Sequence, residues 1–313
     1  MKHSAPEAAS EREVSCPACF SHEFTERRLL PEVSVKSCLG CGLLVSDVRH
    51  TGPTQAEFAR VNEGAYHEAV SKLRLSQAQE VILFIREHET NVGDWLDVGC
   101  SFGYLLMEAQ RHGYRVFGVE PDKQAFEQAR SRIGDCLVRH GLMTNETCAD
   151  QSVDIVSTMD VLEHIPVEVL PDFANMIRRK LRPGGIWVIK VPSTEGAYFV
   201  VAHHLLKIAG SLMSGIVRRL WQSEYEFPHT VYFNRATLEL FLSNHGFHIV
   251  AYRYMEDVPN RSVMHRLLMV NTIPVWQAYL ISPAFYLINL IEKWRGKSDA
   301  LLVLASYPQN HNH

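Results

Sequence analysis

Between Trp95 and Val191, short apolar runs alternate with stretches of helical spacing, and this alternation constrains the fold more than any other feature of the chain. Residues 95–98 form an apolar run that ends in a glycine. Residues 102–112 read as a helix stopped at Gly113, 114–119 as a strand and 122–132 as a helix. Residues 153–158 form another strand, 167–181 a helix and 186–191 a further strand. Strands separated by helices return in parallel, so the expectation is a doubly wound α/β sheet covered on both faces. Upstream, Val70, Leu73, Val81, Ile82 and Ile85 recur roughly at helical spacing between Tyr66 and His88. Downstream, Asn234 is suited to cap a helix running to Asn244. Strands at 247–254 and 300–306 follow it.

The run Leu96-Asp97-Val98-Gly99-Cys100-Ser101-Phe102-Gly103 is a strand turning through glycines into a helix. Glycines there let a ligand approach the backbone, and the helix start offers unpaired N–H groups to an acceptor. Glu120 ends the next strand, 21 positions after Gly99. That separation suits an acid accepting hydrogen bonds from a ribose diol. A dinucleotide site is disfavoured, because Cys100-Ser101-Phe102 separates only two glycines where G-x-G-x-x-G is needed.

These residues carry a resemblance to the class I S-adenosylmethionine-dependent methyltransferases. Leu-Asp-Val-Gly-Cys-x-x-Gly at 96–103, Gly-Val-Glu-Pro at 118–121 and Val-Asp-Ile-Val at 153–156 match it in order. Asp-Val-Leu-Glu-His-Ile at 160–165 and Leu-Arg-Pro-Gly-Gly at 181–185 continue the match. It runs from about Asp94 to Val191, with weaker similarity as far as Ser306. The resemblance implies a Rossmann-like sheet and S-adenosyl-L-methionine as cofactor. Asp97, Gly99 and Gly103, with Cys100 in the same loop, would hold its methionine end. Glu120 would take the ribose, and Asp160 would lie beside the cofactor. Cys100-Ser101 stands where that family usually has a second glycine.

Methyl transfer from a sulfonium is an in-line displacement. The enzyme must position the nucleophile and, for a hydroxyl, take up its proton, a task suited to histidine. Asp160-Val161-Leu162-Glu163-His164 resembles the Glu-x-x-Glu-His pattern of the O-methyltransferases of ubiquinone biosynthesis, where the group can bind a divalent metal. Asp160 stands in place of the first glutamate. His164 is one catalytic candidate, against the plainer alternative that Glu163 and His164 only cap the next helix. The stretch from Pro228 through His229 to Phe233 looks like one that borders the substrate pocket of related small-molecule methyltransferases. His229 is therefore the second candidate, against a histidine satisfied within a loop.

Cys16-Pro17-Ala18-Cys19 and Cys38-Leu39-Gly40-Cys41 form two C-x2-C pairs eighteen residues apart. Four thiolates complete a tetrahedral zinc site and leave no open coordination position, so the expected zinc is structural. Metal binding would supply folding energy that residues 14–50, poor in large apolar side chains, lack. Cys100, Cys136 and Cys148 have no such spacing and are expected to be unpaired. The expected organisation is a zinc-binding module at 1–50 and a methyltransferase domain at 51–313. Thr51-Gly52-Pro53-Thr54 links them, and helical insertions are expected at about 196–227 and 262–297. The first residues carry no apolar secretory core, and paired cysteines without an export signal point to metal ligation in the cytoplasm.

From Leu267 to Ile291 the chain has 25 residues without a charge. Strands expected on either side of it argue against a single membrane crossing, and Pro274 and Pro283 divide it into short helices. A helical hairpin serving as a lid, a subunit interface or a peripheral contact with the inner membrane face fits better. Residues 199–221 form an apolar segment with Lys207, Arg218 and Arg219, read as a lid helix ahead of a membrane-surface helix. A net charge of −4 argues against nucleic acid as the partner. The expected acceptor is a small molecule or glycan, including a lipid-linked hydroxyl. Two alternatives stand beside it, a cofactor-binding scaffold whose zinc module recruits a partner and an RNA methyltransferase. Oligomeric state is left open.

Overall fold

The structure, a computed structural model, describes residues 15–30, 33–48, 63–89, 92–134, 137–209, 214–223, 227–268 and 274–308. The linker at 51–54 and Cys136 lie outside the described residues. β1 (Phe24–Leu30), β2 (Val33–Cys38) and β3 (Leu44–Ser46) follow the first cysteine pair, and α1 (Glu63–His88) follows them. The alternating region contains β4 (Asp94–Val98), α2 (Tyr104–Arg111), β5 (Arg115–Glu120), α3 (Lys123–Ile133), β6 (Val138–His140), β7 (Val153–Met159), α4 (Leu170–Lys180) and β8 (Leu181–Pro192). After it come α5 (Ala197–Ala209), α6 (Ser214–Trp221), β9 (Val231–Tyr232), α7 (Arg235–Asn244) and β10 (His248–Met255). The chain closes with α8 (Val263–Leu268), α9 (Val275–Arg295) and β11 (Ala300–Ser306).

Seven strands form one sheet in the order β10-β11-β8-β7-β4-β5-β6. β4 pairs in parallel with both β5 and β7. The chain moves outward from β4 to β6 and then restarts on the other side of β4 at β7. The loops leaving β4 and β7 therefore part in opposite directions and open a crevice at the carboxyl ends of the strands. β11 departs from the parallel expectation and runs antiparallel to both neighbours. Its first residue, Ala300, pairs with Met255 at the end of β10, so the chain re-enters the sheet where it left and must run back.

Both faces of the sheet are covered. Leu301, Val303 and Ala305 pack in one core with Trp187, Ile189 and Val191. Ala300, Leu302 and Leu304 pack on the other face with Trp95, Ile186 and Val188. This period-two division explains the continuous apolar runs in the sequence. α7 begins as expected. The Asn234 side chain accepts the Thr237 amide at 2.9 Å, and Thr237 Oγ1 accepts the Asn234 amide at 2.9 Å.

The cysteine-bearing segment is built into the larger domain. Its three strands form a second sheet, β1-β2-β3-β9, whose last strand comes from the chain after α6. Leu44 pairs with Tyr232 and Val45 with Val231. Cys16, Cys38, Leu43 and Val45 share a core with Phe241, Leu242 and Phe247, and Asn244 Nδ2 donates to the Ala18 carbonyl at 2.7 Å. α5 and α6 cover this small sheet through Phe199, Leu206, Val217 and Trp221, which pack with Leu30, Val33 and Tyr232.

Pro283 does not divide α9 as expected, although Pro274 does precede its first turn. A proline inside a helix orphans the carbonyl four residues back. Here that carbonyl belongs to Tyr279, and Ser282 Oγ donates to it at 3.2 Å. Among the described residues no helix is long and apolar enough to cross a membrane.

Candidate active site

The crevice at β4 and β7 opens into a cavity of about 1970 Å³. That exceeds the ~300–1,000 Å³ usual for a single small ligand, leaving room for a cofactor and an acceptor together. One wall is the loop after β4 with Glu120. The facing wall includes Phe24, Glu26, Lys36 and Val45 of the cysteine-bearing sheet, together with Phe227 to Thr230.

In the β4 loop, Gly99 has φ 70° and Gly103 φ 75°, left-handed conformations that a side chain disfavours. A Cβ on Gly99 would stand 2.7 Å from Val161 Cγ2, so glycine allows the loops after β4 and β7 to meet. Gly103 packs against Ala129 of α3 and acts through its backbone rather than by lining the cavity. The Gly99 and Cys100 amides donate to the Val119 carbonyl at 2.9 and 3.1 Å. The Glu120 carboxylate accepts the Ser101 amide at 2.7 Å and the Asp122 amide at 2.9 Å. Burial raises its pKa while those two bonds resist the rise. Cys100 is buried beneath the loop, and burial pushes its thiol up, so it stays protonated.

Asp97, near the end of β4, is buried and accepts Ser157 Oγ at 2.5 Å. Trp95 Nε1 in turn donates to Ser157 Oγ at 2.7 Å. Burial pushes Asp97 up to about 7, partly opposed by the Ser157 bond and reinforced by the charge of Glu120. Such a carboxyl accepts a cationic partner readily, because the cation restores the solvation that burial removed.

Asp160 directly follows β7, with φ 58°. It lies 2.6 Å from Lys190 Nζ and 2.7 Å from Arg74 Nη1, and Lys190 also lies 2.8 Å from Asp257. Burial alone would raise the Asp160 pKa. The Lys190 and Arg74 charges outweigh it and hold the carboxyl well below its usual range. Sequence reasoning missed Arg74, Lys190 and Asp257. One signal was present in Lys190, a charge inside the apolar run 186–191 that requires a buried partner.

The two candidate histidines meet. The rings of His164 and His229 lie 4.9 Å apart, and their ligand atoms and a Glu163 oxygen are all within 4.8 Å of one another. Thr230 ties the two segments together, its amide donating to the Glu163 carbonyl at 2.6 Å and its hydroxyl to the Ile165 carbonyl at 2.6 Å. His229 Nδ1 lies 2.7 Å from the Tyr232 hydroxyl, which itself donates to the Leu220 carbonyl. A tyrosine has one hydroxyl proton, so Nδ1 must carry the proton of that contact and Nε2 is left with a lone pair. Burial, with the neighbouring His164, lowers the His229 pKa to about 3 and keeps the ring neutral. His164 Nδ1 faces the Pro228 carbonyl at 3.3 Å, which leaves its Nε2 as an acceptor too, and burial lowers its pKa. Glu163 Oε2 is buried without a hydrogen-bond partner, and burial raises that carboxyl well above its ordinary range.

The four cysteines expected to bind metal converge. Cys16 and Cys41 Sγ are 3.6 Å apart, Cys19 and Cys38 Sγ 3.4 Å apart, and all four lie within 4.8 Å. Four sulfurs at roughly 2.3 Å from a tetrahedral zinc stand about 3.8 Å apart, so the donor set has the right size. Cys100 and Cys148 are free thiols.

The fold and cleft define a doubly wound α/β protein with a ligand site at its topological switch point. Residues 70–252, more than half of the chain, match the family described as a methyltransferase domain, and the chain belongs to that family. It is 31% identical over 117 residues to a protein of Mycolicibacterium smegmatis named as a probable S-adenosylmethionine-dependent methyltransferase, covering 36% of this chain and 44% of that one. It is 29% identical over 98 residues to a ubiquinone biosynthesis O-methyltransferase of Serratia proteamaculans, covering 29% and 39%. The chain thus spans less than half the length of these relatives. Among solved structures, an S-adenosylmethionine-dependent methyltransferase from Archaeoglobus fulgidus superposes with a TM-score of 0.49 at 16% identity, covering 74% of this chain and 94% of that one.

Proposed function

We propose that this chain transfers the methyl group of S-adenosylmethionine to a hydroxyl of a small-molecule acceptor of the sugar or glycan class, lipid-linked acceptors included. Asp97, Gly99, Cys100 and Glu120 are the cofactor side of the cleft, with Gly103 shaping the loop and Asp160 bordering it. Asp97 takes the ammonium of the methionine end, and Glu120 the ribose. The observation that carries the reading is His229, which lines the cleft beside a carboxyl and a second imidazole and keeps a lone pair on Nε2. The acceptor oxygen attacks the methyl carbon as the C–S bond breaks. The hydroxyl proton passes to His229 Nε2. The products are a methyl ether and S-adenosylhomocysteine.

Around this cleft stand eight carboxylic side chains, among them Glu26, Asp47 and Glu168, against one lysine and one arginine. That balance supports an uncharged acceptor over a nucleic-acid phosphate backbone. Because Glu163, His164 and His229 converge, a second reading has them hold a divalent cation that lowers the acceptor hydroxyl's pKa. Cys16, Cys19, Cys38 and Cys41 hold a structural zinc through four thiolates, a use of paired cysteines that suits a reducing, cytoplasmic setting.

Calorimetric titration of the zinc-replete protein with S-adenosylmethionine, beside NAD and Glu120→Ala controls, tests the cofactor. Micromolar binding weakened in the variant, with no response to NAD, is expected. Absence of binding to folded protein rejects the reading. Methyl transfer to sugar acceptors with and without added Mg2+ or Mn2+, after chelation, separates the base from the cation.

A further inference from the structure

α9 is polarised the wrong way round for a helix in water. Its inward stripe, recurring at helical spacing, is Ala278, Ser282, Phe285, Asn289 and Glu292, all buried except the half-buried Phe285. The polar groups on that stripe are bonded. Glu292 accepts the Ala197 amide at 2.7 Å and Ser298 Oγ at 2.6 Å. Asn289 accepts the Tyr198 hydroxyl at 2.8 Å and donates to the Val258 carbonyl at 2.9 Å. The opposite stripe is apolar and open, with Trp276 65%, Leu280 71%, Leu290 64% and Trp294 86% exposed. A surface helix in water does the reverse, turning its apolar side to the core. An apolar face this continuous marks a contact with another apolar phase.

We propose that this face docks on an anionic lipid bilayer, with α9 lying in the plane of the headgroups. Trp276 stands near one end and Trp294 at the other, with Tyr279 and Tyr286 between them, and such amphipathic rings favour the membrane–water boundary. The charge matches as well. The chain carries −4 overall, yet Lys293, Arg295 and Lys297 are cations at the end of this helix, and its acid, Glu292, points inward. Lys293 lies 3.7 Å from Glu256, and Lys297 bonds Glu195 at the rim, so headgroup phosphates compete with carboxylates for them. A second copy of the chain, the other way to cover the face, brings only the same cations, because an isologous contact sets the patch against itself.

Topology makes the helix lie down. β10 and β11, between which α8 and α9 are strung, pair in one sheet with Met255 against Ala300, so both ends of the excursion stay on one side of a membrane. At ~1.5 Å per residue its twenty-one residues cover roughly 32 Å of surface. The docking does not depend on methyl transfer or on the identity of the acceptor.

The test is sedimentation of the full chain with phosphatidylcholine vesicles, with and without phosphatidylglycerol, followed also by tryptophan emission. Of the five tryptophans, Trp95, Trp187 and Trp221 are buried, so a blue shift on adding vesicles reports Trp276 and Trp294. Expected are sedimentation with phosphatidylglycerol vesicles, less without it or in high salt, and an accompanying blue shift. Leu280→Glu combined with Leu290→Glu should lower vesicle partition at least tenfold while circular dichroism is unchanged, because both side chains are exposed. No sedimentation with either vesicle, or sedimentation unaffected by the double variant, overturns the proposal. A dimer that the double variant splits, without vesicle binding, assigns the face to a second copy instead.

Discussion

Glu120 accepts the backbone amide of Ser101 at 2.7 Å, so the acid ending β5 clamps the turn that follows β4. The side chain expected to hold a ribose therefore also sets the shape of the loop around it. In Glu120→Gln, one carboxylate oxygen becomes an NH2 that cannot accept an amide hydrogen. Cofactor affinity is expected to fall ten- to a hundredfold, by about 1.4–2.8 kcal/mol, with the thermal midpoint lowered only slightly. Calorimetry and differential scanning on the same sample separate the two effects. Equal affinity in the variant would remove Glu120 from the cofactor site.

Asp97 should make cofactor binding depend on pH. Burial pushes its pKa up to about 7, against ~3.9 in an unfolded chain. A folded-state pKa above the unfolded one means that its contribution to stability is complete below pH ~4 and is lost as pH rises towards 7. Binding of the cofactor's ammonium runs the other way, because it needs the carboxylate. Affinity should climb up to tenfold per unit as pH rises to about 7 and level off above it. Isothermal titration from pH 5.5 to 8.5 shows the slope, and Asp97→Asn should flatten it while weakening binding throughout.

His229→Ala should lower kcat by a factor of roughly 10²–10⁴, the usual worth of a positioned general base, while leaving cofactor affinity within twofold. The burial that lowers its pKa to about 3 keeps the ring unprotonated in the free enzyme. Activity in the wild type should therefore not fall through pH 6.5, as it would for a solvent-exposed histidine. A kcat/KM profile with an inflection near 6.5 would point to another base.

Lys190 is 1% exposed and lies between Asp160 and Asp257. Lys190→Met removes a buried cation from two half-buried carboxylates and leaves Asp160 to Arg74, a loss of about 3 kcal/mol. For a chain of this size that lowers the thermal midpoint by roughly 10 °C. Lys190→Met combined with Asp160→Asn should recover part of the loss, and failure to recover any would mean the pair is not what holds the lysine in place.

Cys38→Ser should remove bound zinc, measured by mass spectrometry of the metal, and abolish transfer along with it. The expectation follows from the wall that β1 to β3 form beside the cleft. Full activity in metal-free protein would show that the cysteine-bearing sheet keeps its shape without the ion.

The sequence by itself determined the alternating strands and helices from β4 to β8, the Asn234 cap, the glycine loop with its acid, and the two cysteine pairs. These are local signals, set by a period of hydrophobicity or by a few residues at fixed spacing, and they survive without knowledge of the rest of the chain. Only the tertiary structure brought His164 and His229 together, since they lie 65 positions apart on segments joined through Thr230. It alone supplied the salt-bridge partners of Asp160, which come from α1 and β8. It also decided that the cysteine-bearing sheet is a wall of the cleft. The reason is β9, two residues too short to read as a strand, which becomes one by pairing with Leu44 and Val45. For α9, composition showed an apolar segment, but which face is turned inward depends on the partners that bond Asn289 and Glu292. Those partners are distant in the chain, and a pattern read along it contains no term for them.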